Sequence, residues 1–279
     1  MKLLILLITC ILSFETDNAQ AQVFQDSLAQ FSYFLYGNTV LNKQNPVTKV
    51  QGKQGTGFFI KKDERIYFVT AKHAVTNHLN EGDHRNEFPE NYNVYSHYSD
   101  QFNFVPLPPV WINHDQKIKE GLNSADIFTH DVTDKLYGFP ISIVDLTNNN
   151  TDFIAKKEYS QIRFFGFPEN MNKVQDGVIQ ITPPYLFSSK NFTIAENFIN
   201  QIANERGIDS FRYEIQIKDS RVNYGFAGFS GAPVFIQSRQ TNKWEFLGIA
   251  VAINQLRNSI YVAKRDLIAT EIFEVIHNK

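Results

Sequence analysis

Short apolar runs, separated by polar segments rich in turn-forming residues, recur along most of the chain. Runs of this kind with many Val, Ile, Phe and Tyr residues are typical of β-strands. A polar segment without periodicity at 145–152 divides the runs into two groups and predicts two β-rich domains, 22–145 and 146–279. The predicted strands are 56–60, 66–71, 92–95, 102–107, 126–132, 160–168, 176–182, 211–217, 233–237, 244–252 and 259–263.

Three segments have apolar residues at helical spacing instead. Residues 23–36 fit an amphipathic helix, although their aromatic side chains would also suit a strand. Residues 194–206 carry an apolar stripe followed by Gly207 and predict a helical insertion in the second domain. Residues 263–277 predict a C-terminal helix with one apolar face.

The composition of the chain limits the classes of structure and partner to be considered. The chain has 279 residues, is 43% hydrophobic, and contains 25 Phe and 12 Tyr, which favours β-structure. A net charge of −2 indicates no general attraction to nucleic acid.

Residues 1–21 combine Lys2, an apolar run and an A-x-A site ending at Ala21, which predicts a signal peptide. The mature protein is therefore expected to be secreted or periplasmic, without a membrane anchor, and Cys10 would leave with the signal. The alternative interpretation is that this segment is retained as an N-terminal anchor.

Ser230 lies in the most informative segment, G-F-A-G-F-S-G-A-P-V-F at 225–235. A serine on a glycine-rich turn before an apolar strand is a good setting for a nucleophile, because a substrate carbonyl can approach the main chain there. The N–H groups of Gly228 and Ser230 are then candidate oxyanion donors. The alternative interpretation is a glycine-rich hairpin turn with an incidental serine.

His73 ends the apolar run at 67–75, and Asp126 opens the run at 126–132. A serine, a histidine and a carboxylate are the groups that nucleophilic acyl transfer requires. Asp131 is a rival for the acidic role, and Asp115 is a more distant one. No metal ion or other cofactor is expected, because no histidine belongs to a metal-binding motif. The other histidines are expected in polar surface loops: 78, 84, 97, 114, 130 and 277.

Four segments of the chain resemble trypsin-like serine proteases of the chymotrypsin fold, in particular bacterial members. They are G-T-G-F at 55–58, T-A-K-H-A-V at 70–75, A-D-I at 125–127 and G-F-S-G-A-P at 228–233. The order His, Asp, Ser is that of the family. The resemblance implies an all-β fold of two six-stranded antiparallel β-barrels with a C-terminal helix. It also implies a catalytic triad of His73, Asp126 and Ser230.

The resemblance further implies a substrate pocket with Tyr224 at its base and with Val251, Ala252 and Ile253 as one wall. Such a pocket would favour small or medium apolar residues. Phe229 departs from the family, because animal digestive members have an aspartate there that pairs with the new N-terminus after zymogen cleavage. Activation by that route is not expected here.

The leading hypothesis is a serine endopeptidase that acts on proteins or peptides through an acyl-enzyme. One alternative is a latent or inactive binding protein on a protease fold, with Phe229 and Tyr224 filling the pocket. Another is an α/β-hydrolase, because residues 228–232 nearly match G-x-S-x-G and Asp266 and His277 follow. Pro233 opposes the helix that this second alternative requires.

Overall fold

The computed structural model describes residues 27–40, 50–75, 91–95, 104–107, 126–136, 141–146, 158–175, 178–195, 198–199, 208–209, 211–222 and 227–269. Most of them belong to β-strands. The predicted signal peptide at 1–21 and most of the 145–152 linker lie outside these ranges, so the predicted domain boundaries remain predictions.

The first large sheet is built from the strands between residues 33 and 145. They are β1 (Tyr33–Val40), β2 (Val50–Lys62), β3 (Arg65–Ala71), β4 (Asn91–Tyr95), β5 (Phe104–Leu107), β6 (Ile127–Asp131) and β7 (Ile143–Asp145). Their order is β5-β4-β1-β2-β3-β6, and β7 pairs in parallel with β2. A one-turn helix, α1 (Lys72–Val75), follows β3 directly.

The second large sheet is built from later strands in the order β11-β8-β16-β17-β18-β15-β12, all antiparallel. Two small sheets, β9 with β10 and β13 with β14, accompany it. The strands are β8 (Tyr159–Gly166), β9 (Lys173–Gln175), β10 (Val178–Gln180), β11 (Tyr185–Ser189), β12 (Phe192–Ala195), β13 (Phe198–Ile199), β14 (Ile208–Asp209), β15 (Arg212–Ile217), β16 (Pro233–Ser238), β17 (Trp244–Asn254) and β18 (Ser259–Lys264).

This architecture confirms the all-β class, and its two large sheets agree with the predicted pair of antiparallel β-barrels, except that β7 pairs in parallel with β2. Every strand predicted from the sequence corresponds to an observed strand. Each large sheet has seven described strands rather than six. The additional strands, such as β1 and β11, lie in segments whose apolar pattern did not alternate clearly.

The prediction of a helix over 23–36 is wrong for residues 33–36, which begin strand β1. Tyr33 and Leu35 pack in the main core, whereas Phe34 and Tyr36 pack in a smaller cluster with Tyr95. Both faces of the strand are therefore covered by protein. A strand buried on both faces has no polar alternation, and periodicity alone does not separate it from a helix.

The predicted helical insertion at 194–206 is also wrong where the structure describes it. Residues 194–195 end β12, which pairs with β15, and residues 198–199 form β13. The remainder, 200–206, lies outside the described residues. At the C-terminus, residues 265–269 are helical, as predicted, and 270–279 are not described.

His130 does not lie in a surface loop as predicted. It lies in β6, is buried, and its Nε2 is 3.2 Å from the Nζ atom of Lys135. The other histidines placed in surface loops by the sequence lie outside the described residues. Within the described ranges, no helix has the length and apolar character required to cross a lipid bilayer.

Candidate active site

The pairing of β3 with β6 determines which residues meet at one end of the first sheet. The two strands are antiparallel, and Ala71, the last residue of β3, lies opposite Ile127, the first residue of β6. The residues that follow Ala71 therefore meet the residue that precedes Ile127. In agreement with this register, the N–H of Lys72 donates to the carbonyl of Asp126 at 2.9 Å.

The carboxylate of Asp126 holds His73 by two hydrogen bonds. Its Oδ1 accepts from the main-chain N–H of His73 at 3.0 Å, and its Oδ2 lies 2.6 Å from Nδ1 of the imidazole. Asp126 has a φ of 56°, a left-handed conformation that aspartate adopts more readily than most residues. The carboxylate thereby orients the ring and favours the tautomer that carries its proton on Nδ1.

Ser230 reaches the same histidine from the second sheet. Its Oγ lies 2.7 Å from Nε2 of His73, although 157 residues separate the two in the chain. The N–H of Thr56 in β2 donates to the carbonyl of Ser230 at 3.1 Å. This bond links the turn at 227–231, here called the serine turn, to the first sheet. The side chains of His73 and Asp126 are 35% and 25% exposed, so the group of three is accessible from solvent.

The rival acidic residue is elsewhere. Asp131 lies at the opposite end of β6, where it pairs with Arg65 and accepts hydrogen bonds from the N–H and hydroxyl of Thr133. Asp266 lies beside Arg265, with 3.5 Å between Oδ1 and the arginine Nε. Asp115 and His277 are outside the described residues.

Hydrogen bonds set the direction of the two candidate oxyanion donors. The carbonyl of Ala227 accepts from the N–H of Glu169 at 2.8 Å, and the carbonyl of Phe229 accepts from the N–H of Ala232 at 2.9 Å. The C=O and N–H of a trans peptide point in opposite directions. The N–H groups of Gly228 and Ser230 therefore point away from those contacts.

Neither N–H donates a hydrogen bond to any residue in the described part of the chain. Gly228 has a φ of 94°, which a residue with a side chain rarely adopts. A Cβ atom there would also lie 2.2 Å from the carbonyl oxygen of Phe167. Two neighbouring donors without partners among the described residues, beside a serine hydroxyl, are the kind of groups that stabilise an oxyanion.

An apolar cleft of about 470 Å³ adjoins Ser230. All three residues predicted for its wall, Val251, Ala252 and Ile253, line it. Tyr224, predicted for its base, is outside the described residues. The sequence did not indicate Phe164 and Ile260, which also line the cleft and are almost fully buried. Both belong to apolar runs of β8 and β18, and no local motif distinguishes their position from the core.

Phe229 packs beneath the serine turn. It is 3% exposed, and its ring meets that of Phe164 edge to face with 5.6 Å between the centroids. It also lies against Gly166, where an added Cβ would be 2.4 Å from the ring. The ring borders the cleft and leaves it open, which disagrees with the idea that Phe229 fills the pocket.

A metal centre has no support in the described ranges, where no group of three or more His, Cys, Asp or Glu side chains could hold an ion. The residues brought together at the cleft are instead a hydroxyl, an imidazole and a carboxylate. This set can activate an alcohol as a nucleophile by removing its proton.

No protein-family model matches the chain, and no curated protein has a significantly similar sequence. Solved structures that resemble it in chain path include three proteases. A Glu endopeptidase in complex with MPD is 13% identical, with 88% of this chain and 90% of that chain covered and a TM-score of 0.48. The protease Anisep from Arthrobacter nicotinovorans is 12% identical, with 86% of this chain and 91% of that chain covered and a TM-score of 0.47. A catalytically inactive tobacco etch virus protease complexed with substrate is 12% identical, with 85% of this chain and 78% of that chain covered and a TM-score of 0.36. Likeness of this degree assigns no function to the chain.

Proposed function

We propose that this protein is a secreted or periplasmic serine endopeptidase that hydrolyses peptide bonds through an acyl-enzyme. One observation carries the proposal. The hydroxyl of Ser230 lies 2.7 Å from one nitrogen of His73, and the other nitrogen of that ring lies 2.6 Å from the carboxylate of Asp126. A nucleophile, a base and a group that orients the base are thus hydrogen-bonded in series.

In the proposed reaction, Oγ of Ser230 attacks the carbonyl carbon of the scissile peptide while its proton passes to Nε2 of His73. The carbonyl oxygen becomes an anion and accepts hydrogen bonds from the N–H groups of Gly228 and Ser230. The tetrahedral intermediate collapses as the C–N bond breaks, and His73 gives its proton to the departing amine. Water then attacks the ester by the same steps, which releases the acid and restores Ser230. Asp126 remains ionised and stabilises the imidazolium.

The cleft indicates which residue precedes the cleaved bond. Its described walls are apolar apart from the three polar residues of the site, and they include Val251, Ala252 and Ile253. A charged side chain would lose water there without gaining a partner. We therefore expect peptides with Ala or Val at this position to be cleaved at least about 10-fold more efficiently than peptides with Arg or Glu. The four peptides can be compared as nitroanilides that differ only in this residue. Equal kcat/KM values for all four would contradict this preference.

Fluorophosphonate labelling of residues 22–279 tests the proposal directly. The probe reacts with an activated serine hydroxyl, so the native protein should be labelled and Ser230→Ala should not be. His73→Ala should react several orders of magnitude more slowly, because members of such a group act as a unit. Asp131→Asn is the control that leaves the site intact and should label at the native rate. A folded native protein that does not label would favour a binding protein on a protease fold.

A further inference from the structure

Thr56 connects the two sheets at the serine turn. It lies in β2, and its side chain is fully buried. Its hydroxyl donates to the carbonyl of Gly228 at 2.7 Å and accepts from the N–H of Phe167 at 3.0 Å. Its own N–H donates to the carbonyl of Ser230 at 3.1 Å. One residue of the first sheet thus contacts both residues whose N–H groups are the candidate oxyanion donors.

The hydroxyl of Thr56 has no freedom to turn. A threonine hydroxyl has one proton to donate, and here Gly228 takes it, while Phe167 occupies an acceptor position on the oxygen. The main-chain oxygen of Thr56 is held as well, because it accepts from the hydroxyl of Thr70 at 2.7 Å. The direction of the Gly228 carbonyl is therefore determined by a residue that is itself held on both sides.

Loss of this bond would affect the donors rather than the nucleophile. The carbonyl of Gly228 would remain buried without a partner, and its peptide would rotate to find one because a buried polar group without a hydrogen bond is unfavourable. That peptide joins Gly228 to Phe229 and so lies between the two donor N–H groups, and its rotation changes ψ of Gly228 and φ of Phe229. The directions of the two donors relative to each other then change. The hydrogen bonds of His73 with Ser230 and Asp126 do not involve this peptide.

We propose that Thr56 is a positioning residue for the oxyanion hole, an assignment that rests on the proposed peptidase function. The Thr56 hydroxyl holds the peptide between the two donors, so that the N–H groups of Gly228 and Ser230 keep their relative directions toward the oxygen that becomes negative during attack by Ser230. Its contribution is made in the transition state, where the negative charge develops, and hardly in the bound substrate.

Three variants test the assignment. Thr56→Val keeps the shape and removes the hydroxyl, Thr56→Ser keeps the hydroxyl, and Thr129→Val is the matched control. Thr129 is 1% exposed in β6, and its hydroxyl has no hydrogen-bond partner among the described residues. For Thr56→Val we expect kcat to fall about 10- to 100-fold while KM changes less than about 2-fold. Thr56→Ser and Thr129→Val should remain within about 3-fold of the native kcat, since both leave the bond to Gly228 in place.

A peptide aldehyde separates a positioning role from a merely structural one. The aldehyde forms a hemiacetal with the serine, and its oxygen occupies the oxyanion position. Its inhibition constant should rise in Thr56→Val by the same factor by which kcat/KM falls. Circular dichroism checks that each variant is folded, and Thr56→Ala replaces Thr56→Val if the valine variant does not fold.

Two results would overturn the assignment while the native enzyme is active. One is a folded Thr56→Val protein with native kcat, and the other is a fall in kcat without any change in aldehyde affinity. A native protein that neither labels with fluorophosphonate nor cleaves peptides would overturn the proposed function and this assignment with it. The labelling experiment therefore precedes the variant series.

Discussion

The phenyl ring of Phe229 lies directly against the main chain of Gly166, with no room for a side chain between them. A Cβ atom built on Gly166 would lie 2.4 Å from Cδ1 and 2.8 Å from Cγ of the ring. Phe229 immediately precedes Ser230, so the contact ties the serine turn to the last residue of β8. Burial of this aromatic ring therefore holds the turn that carries Ser230 against the second sheet.

We expect Gly166→Ala to lower kcat at least about 10-fold with little change in KM, because the new methyl group displaces Phe229 and with it the turn that carries Ser230. Steady-state kinetics on an apolar reporter peptide measure the effect. Phe246→Ala is the control for lost stability alone, because Phe246 is a buried aromatic residue of the main core that does not line the cleft. Native kcat in a folded Gly166→Ala protein would show that the contact does not position the serine.

Gly231→Ala should destabilise the protein strongly. Gly231 has a φ of 90°, and an added Cβ would lie 2.0 Å from the carbonyl oxygen of Thr56 and 2.3 Å from Oγ1 of Thr70. Strain and overlap with main-chain atoms together should destabilise the protein by about 3 kcal/mol or more. Thermal unfolding measures the loss.

The matched control for this change is Gly55→Ala. Its new Cβ would lie 3.0 Å from Cβ of Ala74 and 3.6 Å from the carbonyl oxygen of Ser230, and Gly55 has no positive φ. Its unfolding midpoint should therefore decrease much less than that of Gly231→Ala. Equal midpoints for the two variants would contradict the explanation.

Asp126→Asn should reduce kcat about 10³- to 10⁴-fold, as the equivalent change does in the serine proteases from which the triad roles are known. The amide favours the wrong tautomer of His73, while asparagine still accepts the left-handed backbone at this position. Asp131→Asn changes the other aspartate of the same segment, whose partners are Arg65 and Thr133. Its kcat should be native, and similar losses in the two variants would refute the assignment of Asp126.

Tyr33 should make the free energy of unfolding depend on pH in the alkaline range. Burial raises its pKa from 10.0 to about 12, although its oxygen accepts a hydrogen bond from the N–H of Ser142. A raised pKa favours the folded state fully below pH 10, and this contribution is lost as the pH rises toward 12. The loss should be about 2 to 3 kcal/mol.

Urea unfolding at several pH values measures this term as the difference between the native protein and Tyr33→Phe. The phenylalanine variant should be less stable at pH 8 and should lose less stability between pH 10 and 12. Other tyrosines with raised pKa values, Tyr36, Tyr67, Tyr95 and Tyr261, contribute equally to both proteins. Parallel pH profiles for the two proteins would contradict the burial effect.

Most strands could be predicted from the sequence because their apolar residues occur in short runs bounded by turn residues. The failures have one cause, which is that a pattern of apolar positions records burial and not the partner that provides it. Tyr33 to Tyr36 are covered on both faces, so their strand has no polar alternation. Residues 194–195 are extended because β15 pairs with them, and their helical spacing could not reveal that partner.

Some residues of the candidate site could be predicted from the sequence, and others could not. Ser230, His73 and Asp126 were each found in a short segment, because a glycine-rich turn or a residue at the end of an apolar run is visible locally. The pocket wall at 251–253 was inferred from the resemblance to trypsin-like serine proteases. Nothing local distinguished the supporting contacts of Thr56 with Gly228, or of Phe229 with Gly166, because these residues meet only after the two sheets pack together.

The sequence by itself therefore determined the all-β class, the candidate nucleophile and base, and the apolar character of the cleft, since these depend on residue type and short-range pattern. Only the tertiary structure decided that Asp126 and not Asp131 meets His73, because that choice depends on the register of β3 against β6. It also decided how the serine turn is held. Contacts between residues more than a hundred positions apart, such as Thr56 with Phe167 and Gly228, depend on packing that no local pattern encodes.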